Sequence, residues 1–108
     1  SYQAMLADLP TLAAYADGIG AEKSLIIPRD QTGALAAPTN LVSRAHAEGL
    51  AVHAWTFRAE NYFLPRDFKR GENPAAHGDL QAELRAFFAG GIDGVFSDFP
   101  ALASAARA

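Results

Sequence analysis

The chain is long enough for one domain but much shorter than a complete β/α barrel, because it has 108 residues whereas such a barrel usually needs roughly 250. Half of the residues are hydrophobic and only 19% are charged, a composition that favours a folded core over disorder. A net charge of −3 without a basic stripe makes nucleic acid and anionic membranes unexpected partners, and the absence of cysteine excludes disulfides, thiolate metal sites and cysteine nucleophiles.

The first third of the chain combines one helical pattern with turn-forming residues. Apolar residues at helical spacing predict a short helix at about residues 9–16, with Pro10 in its first turn. The glycine-rich residues 16–20 predict the end of a buried strand. Proline, glycine and aspartate scattered over residues 26–38 indicate an irregular loop.

The middle of the chain contains a second helix and a second strand. Thr39 is suited to cap a helix that ends at about Glu48, and Gly49 suits the left-handed position that follows it. Residues 50–57 are aromatic and β-branched without strict alternation of polar and apolar positions, which is typical of a parallel strand covered on both faces.

A third helix and strand follow. Asp79 is expected to cap the helix and Gly90 and Gly91 to end it, before a strand at residues 92–97 and a last helix at residues 101–106. Alternating helices and strands predict an α/β fold, with a parallel sheet covered by helices and ligands beyond the carboxyl ends of the strands. The apolar stripe of the third helix consists of Leu80, Leu84, Phe87 and Phe88.

Five residues near the end of the second strand are the candidate substrate-binding group. Its arginine could hold a phosphate oxygen through two parallel hydrogen bonds. The structural alternative makes the two aromatic residues part of the core and the Arg–Glu pair a solvated ion pair. The residues are Trp55, Phe57, Arg58, Glu60 and Asn61.

Other residues with possible chemistry have simpler explanations. His53 could act as a general acid or base beside the second strand, although a strand histidine is more often a hydrogen-bonded structural residue. Asp98 suits a helix cap. The carboxylates Asp17, Glu60 and Asp98 occur singly, and no Walker-type or dinucleotide-binding glycine motif is present. No complete metal site is therefore visible among these residues.

Three segments together resemble the C-terminal part of glycerophosphodiester phosphodiesterases. Residues 15–20 read Tyr-Ala-Asp-Gly-Ile-Gly, residues 49–58 form an aromatic-Thr strand followed by arginine, and residues 91–100 contain Gly-Ile-Asp-Gly and end in Ser-Asp-Phe-Pro. The bacterial branch of the family is the most similar in these segments, although Ser97 stands where threonine is commoner.

The resemblance implies an eight-stranded β/α barrel that hydrolyses glycerophosphodiesters to glycerol 3-phosphate and an alcohol. It also implies a divalent cation, calcium or magnesium, and two histidines as general acid and base in the parent enzyme. No segment of this chain matches the family's His-Arg or Glu-x-Asp motifs, so the resemblance assigns it no catalytic residue and no metal ligand. The resemblance does imply that Trp55 and Phe57 form the wall of a pocket around the glycerol moiety. It also makes Arg58, Glu60 and Asn61 candidate substrate-binding residues.

Residues 1–108 are accordingly interpreted as a single partial domain, about three β/α units from the C-terminal part of such a barrel. We expect the isolated chain to be inactive, to bind no metal, and to self-associate where barrel strands are missing. It starts at Ser1, which favours a trimmed or processed chain. No membrane span is expected, and the resemblance favours a periplasmic location. One alternative is a small α/β module that binds a phosphorylated or polyol ligand without catalysis. Another is a structural or interaction domain.

Overall fold

A helix precedes each of the three strands in the part of the chain that the structure describes. The structure is a computed structural model, and it describes residues 2–14, 16–97 and 106. Short 3-10 helices lie in the connections at Lys23–Leu25, Asn61–Phe63 and Arg66–Phe68. The main elements, in chain order, are α1 (Tyr2–Ala13), β1 (Gly18–Glu22), α2 (Leu41–Ala47), β2 (Ala51–Phe57), α3 (Leu80–Ala89) and β3 (Gly94–Ser97).

The strands form one parallel sheet in the order β1-β2-β3. Its central strand, β2, pairs with β1 on one side and with β3 on the other. Parallel strands joined through a helix are the arrangement that alternating helices and strands produce. The predicted α/β fold with a parallel sheet is therefore confirmed. The pairing of β2 with β3 shifts register between Ala54 and Phe57, beside the cis peptide bond that joins Trp55 to Thr56.

Local capping signals account for the ends of α2 and α3. The N-cap of α2 is Asn40, whose side chain makes no cap bond, rather than the predicted Thr39; the hydroxyl of Thr39 nevertheless accepts a 3.3 Å hydrogen bond from the N–H of Leu41. At the N-cap of α3, a carboxylate oxygen of Asp79 accepts a 3.0 Å hydrogen bond from the N–H of Ala82. These bonds pair N–H groups that a helix leaves without partners in its first turn. After α2, Gly49 has a φ of 77°, a conformation that glycine adopts without a steric penalty.

The boundaries at the start of the chain differ from the predicted ones. Helix α1 begins at Tyr2, so Pro10 lies inside the helix rather than in its first turn. An internal proline costs about 3 kcal/mol relative to alanine; here the complete burial of the neighbouring Leu9 in the core helps to offset that loss. The first strand runs over Gly18–Glu22 instead of residues 16–20. The last predicted helix lies outside the described residues except for position 106, as does Asp98.

The core lies on one face of the sheet, packed against the helices. Ring centres of Phe57 and Phe87 are 5.2 Å apart in an edge-to-face contact between β2 and α3, a favoured geometry for aromatic pairs. On the other face, Trp55 is 43% exposed and Phe96 is 60% exposed. In the described chain only one face of β2 is thus covered, whereas the sequence predicted cover on both. The buried side chains of β2 are Val52, Ala54 and Phe57.

Hydrogen bonds to the side chain of Asp93 connect the turn before β3 with α2 and β2. Its Oδ2 lies 2.8 Å from Nε2 of His46 and accepts a 2.7 Å hydrogen bond from the N–H of Val52. Burial opposes ionisation of Asp93, but the hydrogen bonds from His46 and Val52 outweigh it and lower the pKa of this carboxyl below its usual value. A lowered pKa in the folded state means that the ionised carboxylate stabilises the fold.

This stabilisation should disappear in acid. It is present above the unfolded-state pKa of about 3.9 and is lost as the pH falls below that value through the lower pKa of the folded state. We expect the free energy of unfolding of the wild type to fall more steeply below about pH 4 than that of Asp93→Asn, measured by urea titration at several pH values. Glu72→Gln, at an exposed position, should retain the wild-type slope. Equal slopes for Asp93→Asn and wild type would contradict the assignment.

Candidate functional site

A pocket of about 580 Å³ opens beside the carboxyl ends of β1 and β2. In parallel α/β folds this edge of the sheet is where ligands bind. Its walls combine charge with exposed aromatic surface, a mixture suited to a polar organic ligand. The cations are Lys23, Arg29 and Arg58, the carboxylates are Glu22 and Glu83, and the more exposed aromatic residues are Trp55, Tyr62 and Phe63.

Trp55 and Arg58, two of the five predicted site residues, line this pocket. Trp55 pairs with Glu22 across the two strands. The Arg58 guanidinium donates a 2.9 Å hydrogen bond to Glu60 and lies 4.9 Å from the centre of the Phe63 ring. These contacts hold the cation against the pocket wall. The N–H of Glu60 itself, and next the Arg58 guanidinium, lower the pKa of the Glu60 carboxyl.

Phe57 and Asn61 lie away from the pocket. Alternation along a regular strand would put Phe57 on the same face as Trp55, but the register shift near the end of β2 turns its ring into the core, where it is completely buried. The buried Asn61 amide donates to the carbonyls of Arg70 (2.7 Å) and Asn73 (3.0 Å) and accepts from the N–H of Arg70 (2.8 Å). Its polar atoms thus stabilise the loop before α3.

Three further residues of the pocket were not predicted from the sequence. Glu83 of α3 is fully buried, and its Oε2 accepts hydrogen bonds from Lys23 at 2.9 Å and from Arg29 at 3.2 Å. Its Oε1 is also buried and has no hydrogen-bond donor among the described residues. Burial lowers the pKa of Lys23, and the adjacent Glu83 carboxylate only partly offsets that effect.

One of these residues had a detectable signal. Glu83 lies in the apolar stripe of α3, three residues after Leu80 and four before Phe87, so helical spacing alone places this charged residue on the buried face. A buried carboxylate needs cationic or hydrogen-bonding partners. Its partners are 60 and 54 residues away along the chain, so no local pattern identifies them.

His53 does not line the pocket. Its ring lies 6.2 Å from that of Phe96 on β3 and over Gly94, where a methyl group would come within 2.5 Å of the imidazole Nδ1. In the described part of the chain, no three His, Asp or Glu side chains are arranged to hold a metal ion. None of the described helices is long and apolar enough to cross a membrane.

Residues 3–102 match the glycerophosphoryl diester phosphodiesterase family, and the chain therefore belongs to this family. It is 39% identical over 85 residues to the Arabidopsis thaliana protein named glycerophosphodiester phosphodiesterase GDPD6, a match covering 79% of this chain and 21% of that protein. Identity to glycerophosphodiester phosphodiesterase GDPDL1 of the same plant is 34%, over 98% of this chain and 13% of the relative.

A third relative, the Arabidopsis thaliana protein named SUPPRESSOR OF NPR1-1 CONSTITUTIVE 4, is 32% identical over 97% of this chain and 9% of its own length. The chain thus spans about a fifth or less of each of these relatives. All three are plant proteins, so they give no support to the prediction of a bacterial branch. That finer assignment stays a prediction.

Proposed function

We propose that this chain forms part of the carboxyl-end rim of a phosphodiesterase β/α barrel that hydrolyses glycerophosphodiesters to glycerol 3-phosphate and an alcohol. Family membership and the parallel sheet support the proposal. The observation that carries it is the pocket at the carboxyl ends of β1 and β2, with Trp55 and Arg58 in its wall, because β/α barrel enzymes place their substrates at this rim.

In this proposal the chain binds and orients the substrate rather than performing the proton transfers. The half-exposed indole of Trp55 offers an apolar wall for carbons of the substrate, and Arg58 offers a cation close to that wall. The general acid and base come from other parts of the barrel. Those parts also supply the carboxylates for a calcium or magnesium ion, which would offset charge on the phosphoryl oxygens.

In this proposal, residues 1–108 are one part of a larger barrel domain. In the described chain β1 and β3 each pair with a single neighbour, and unpaired strand edges attract other strands. The other strands of the barrel would occupy these edges in the complete enzyme. When expressed alone, the chain would instead self-associate, which light scattering would detect as a mass above that of the monomer.

Replacement of Trp55 by alanine in the complete enzyme should lower kcat/KM for glycerophosphoglycerol about 10- to 100-fold. This range corresponds to the loss of roughly 1.5–3 kcal/mol of apolar contact. Release of glycerol 3-phosphate by a coupled assay measures the effect, and Arg44→Ala on the exposed side of α2 is the control. The isolated chain should release none. Undiminished activity of Trp55→Ala would refute the assigned contact, and activity of the isolated chain would refute the division of roles.

The second candidate function is a small α/β module that binds a phosphorylated or polyol ligand without turnover. One observation favours it: three cations and the exposed indole of Trp55 line the pocket, which gives a phosphorylated or polyol ligand both polar and apolar partners within this chain. Micromolar binding of glycerol 3-phosphate by the isolated chain, combined with an inactive complete protein, would favour the module over the enzyme.

A further inference from the structure

We propose that the pocket beside Trp55 selects a polyol as the alcohol part of its ligand and discriminates against a quaternary ammonium group. The assignment of this group to the leaving alcohol of a phosphodiester rests on the proposed function. The selectivity itself rests on the residues of the pocket. Four features of the pocket support it: cations of the chain that cover aromatic rings, the net charge of the lining residues, a carboxylate oxygen of Glu83 without a hydrogen-bond donor, and the volume of the cavity.

Two aromatic faces in and beside the pocket already carry cations from the chain itself. The Arg58 guanidinium lies 4.9 Å from the centre of the Phe63 ring, and the Lys23 ammonium lies 5.0 Å from that of Phe57. Proteins that bind choline-like ligands use such ring faces as the binding surface. The Phe57 ring is fully buried and is out of reach of a ligand, and a quaternary ammonium group would have to displace Arg58 to reach the face of Phe63 that it covers.

The charges of the lining residues also disfavour a cationic ligand. Lys23, Arg29 and Arg58 against Glu22 and Glu83 leave one positive charge in excess. Both carboxylates are already engaged, Glu83 by the ammonium of Lys23 and the guanidinium of Arg29, and Glu22 by the N–H and hydroxyl of Ser24. No uncommitted carboxylate among the described lining residues remains to pair with an ammonium group.

A hydroxyl group, by contrast, complements the pocket. Glu83 Oε1 is buried without a donor from the described chain, and an unsatisfied buried acceptor is energetically unfavourable. A hydroxyl can donate to this oxygen and at the same time accept from a lysine or arginine N–H. A trimethylammonium group can do neither. Sites built to bind hydroxyl groups discriminate strongly against ligands that lack them.

The size of the pocket and the position of Trp55 favour a ring-sized polyol over glycerol alone. A volume of about 580 Å³ lies within the range of roughly 300–1,000 Å³ that small-molecule pockets occupy. The exposed indole of Trp55 offers a flat apolar surface beside the charged groups. A cyclic polyol presents the matching combination, an apolar C–H face and a rim of hydroxyls.

A titration of the complete protein with myo-inositol and with choline chloride tests the selectivity directly, because neither probe carries a phosphate. We expect myo-inositol to shift the Trp55 indole resonance in nuclear magnetic resonance spectra with a dissociation constant in the millimolar range. Choline should bind at least about 10-fold more weakly. Equal or tighter binding of choline, or no response to myo-inositol, would overturn the proposal.

A variant pair tests the role assigned to the aromatic faces. Arg58→Gln removes the cation from the Phe63 ring, so choline binding should strengthen about 5-fold or more relative to myo-inositol. Arg44→Gln, on the exposed side of α2, should leave the ratio unchanged. An unchanged ratio in Arg58→Gln would refute the argument from the occupied ring, and well-dispersed spectra of both variants establish that they are folded.

Hydrolysis by the complete enzyme separates this inference from the proposed function. Preference for glycerophosphoinositol over glycerophosphocholine would support both. A preference for glycerophosphocholine would leave the enzyme proposal intact and overturn the selectivity. Failure to hydrolyse these two compounds and glycerophosphoglycerol would refute the enzyme proposal, while the titration would still decide what the pocket binds.

Discussion

We expect Glu83→Leu to destabilise the chain by about 3–5 kcal/mol, the range found when one partner of a buried ion pair is removed. Glu83 is fully buried and holds two cations. Only 14% of the Lys23 side chain is exposed, so removal of the carboxylate leaves its ammonium largely buried without the partner of its ion pair. Leucine has a suitable volume for the site, which makes the lost charge pairing, rather than a cavity, the main cause of the effect.

Urea unfolding of a double variant separates charge pairing from packing. Lys23→Met combined with Glu83→Leu removes both charges of the shorter ion pair, and it should recover at least half of the lost stability. Arg29 retains a 2.7 Å hydrogen bond to the carbonyl of Phe63 and is 30% exposed, so it tolerates the change better than Lys23. A loss below about 1 kcal/mol in Glu83→Leu alone would show that the pair is not a main determinant of stability.

The same ion pairs connect the fold to the pocket. Glu83 belongs to α3, whereas Lys23 and Arg29 belong to the connection after β1, and Arg29 also reaches the carbonyl of Phe63. The two loops that form the pocket walls are therefore fixed to the same helix. A variant that weakens this network should also weaken binding of myo-inositol, even where it does not touch the ligand.

The sequence predicts well what local chemistry determines. The cap at Asp79 and the left-handed glycine at position 49 were predicted because each depends on residues within a few positions along the chain. The start of α1 was predicted wrongly because Pro10 was interpreted as a residue of the first helical turn. In the structure the helix continues past Pro10, and burial of the neighbouring Leu9 helps to stabilise it. Tertiary burial overrode a local preference there.

The site shows the same division. Trp55 and Arg58 were found because they follow a recognisable strand, but the faces of Trp55 and Phe57 depend on a register shift against β3. The sequence of β2 alone contains no information about how this strand pairs with β3. Glu83, Lys23 and Arg29 form a cluster only after the chain has brought α3 against the loop after β1, so their joint role requires the three-dimensional structure.

Gly78→Ala should destabilise the chain by about 3 kcal/mol, near the upper end of the cost of overpacking, because the space beside this partly buried glycine is already filled. An added methyl group would lie 2.4 Å from Asn61 Oδ1, 2.5 Å from a methyl carbon of Leu64 and 2.8 Å from the carbonyl oxygen of Phe68. The side chain of Asn61 cannot move away freely, because it donates to two backbone carbonyls and accepts from the N–H of Arg70. Crowding at residue 78 should therefore disrupt the loop that Asn61 holds together.

Gly71→Ala in the same loop is the matched control. Gly71 has a φ of 75° and open space where an added methyl group would lie, so alanine there introduces backbone strain of about 1 kcal/mol without crowding. Thermal and urea unfolding should rank Gly78→Ala well below Gly71→Ala in stability. The opposite ranking would mean that the loop yields easily around residue 78, and Asn61 would then lose its structural assignment and become available again as a ligand-binding residue.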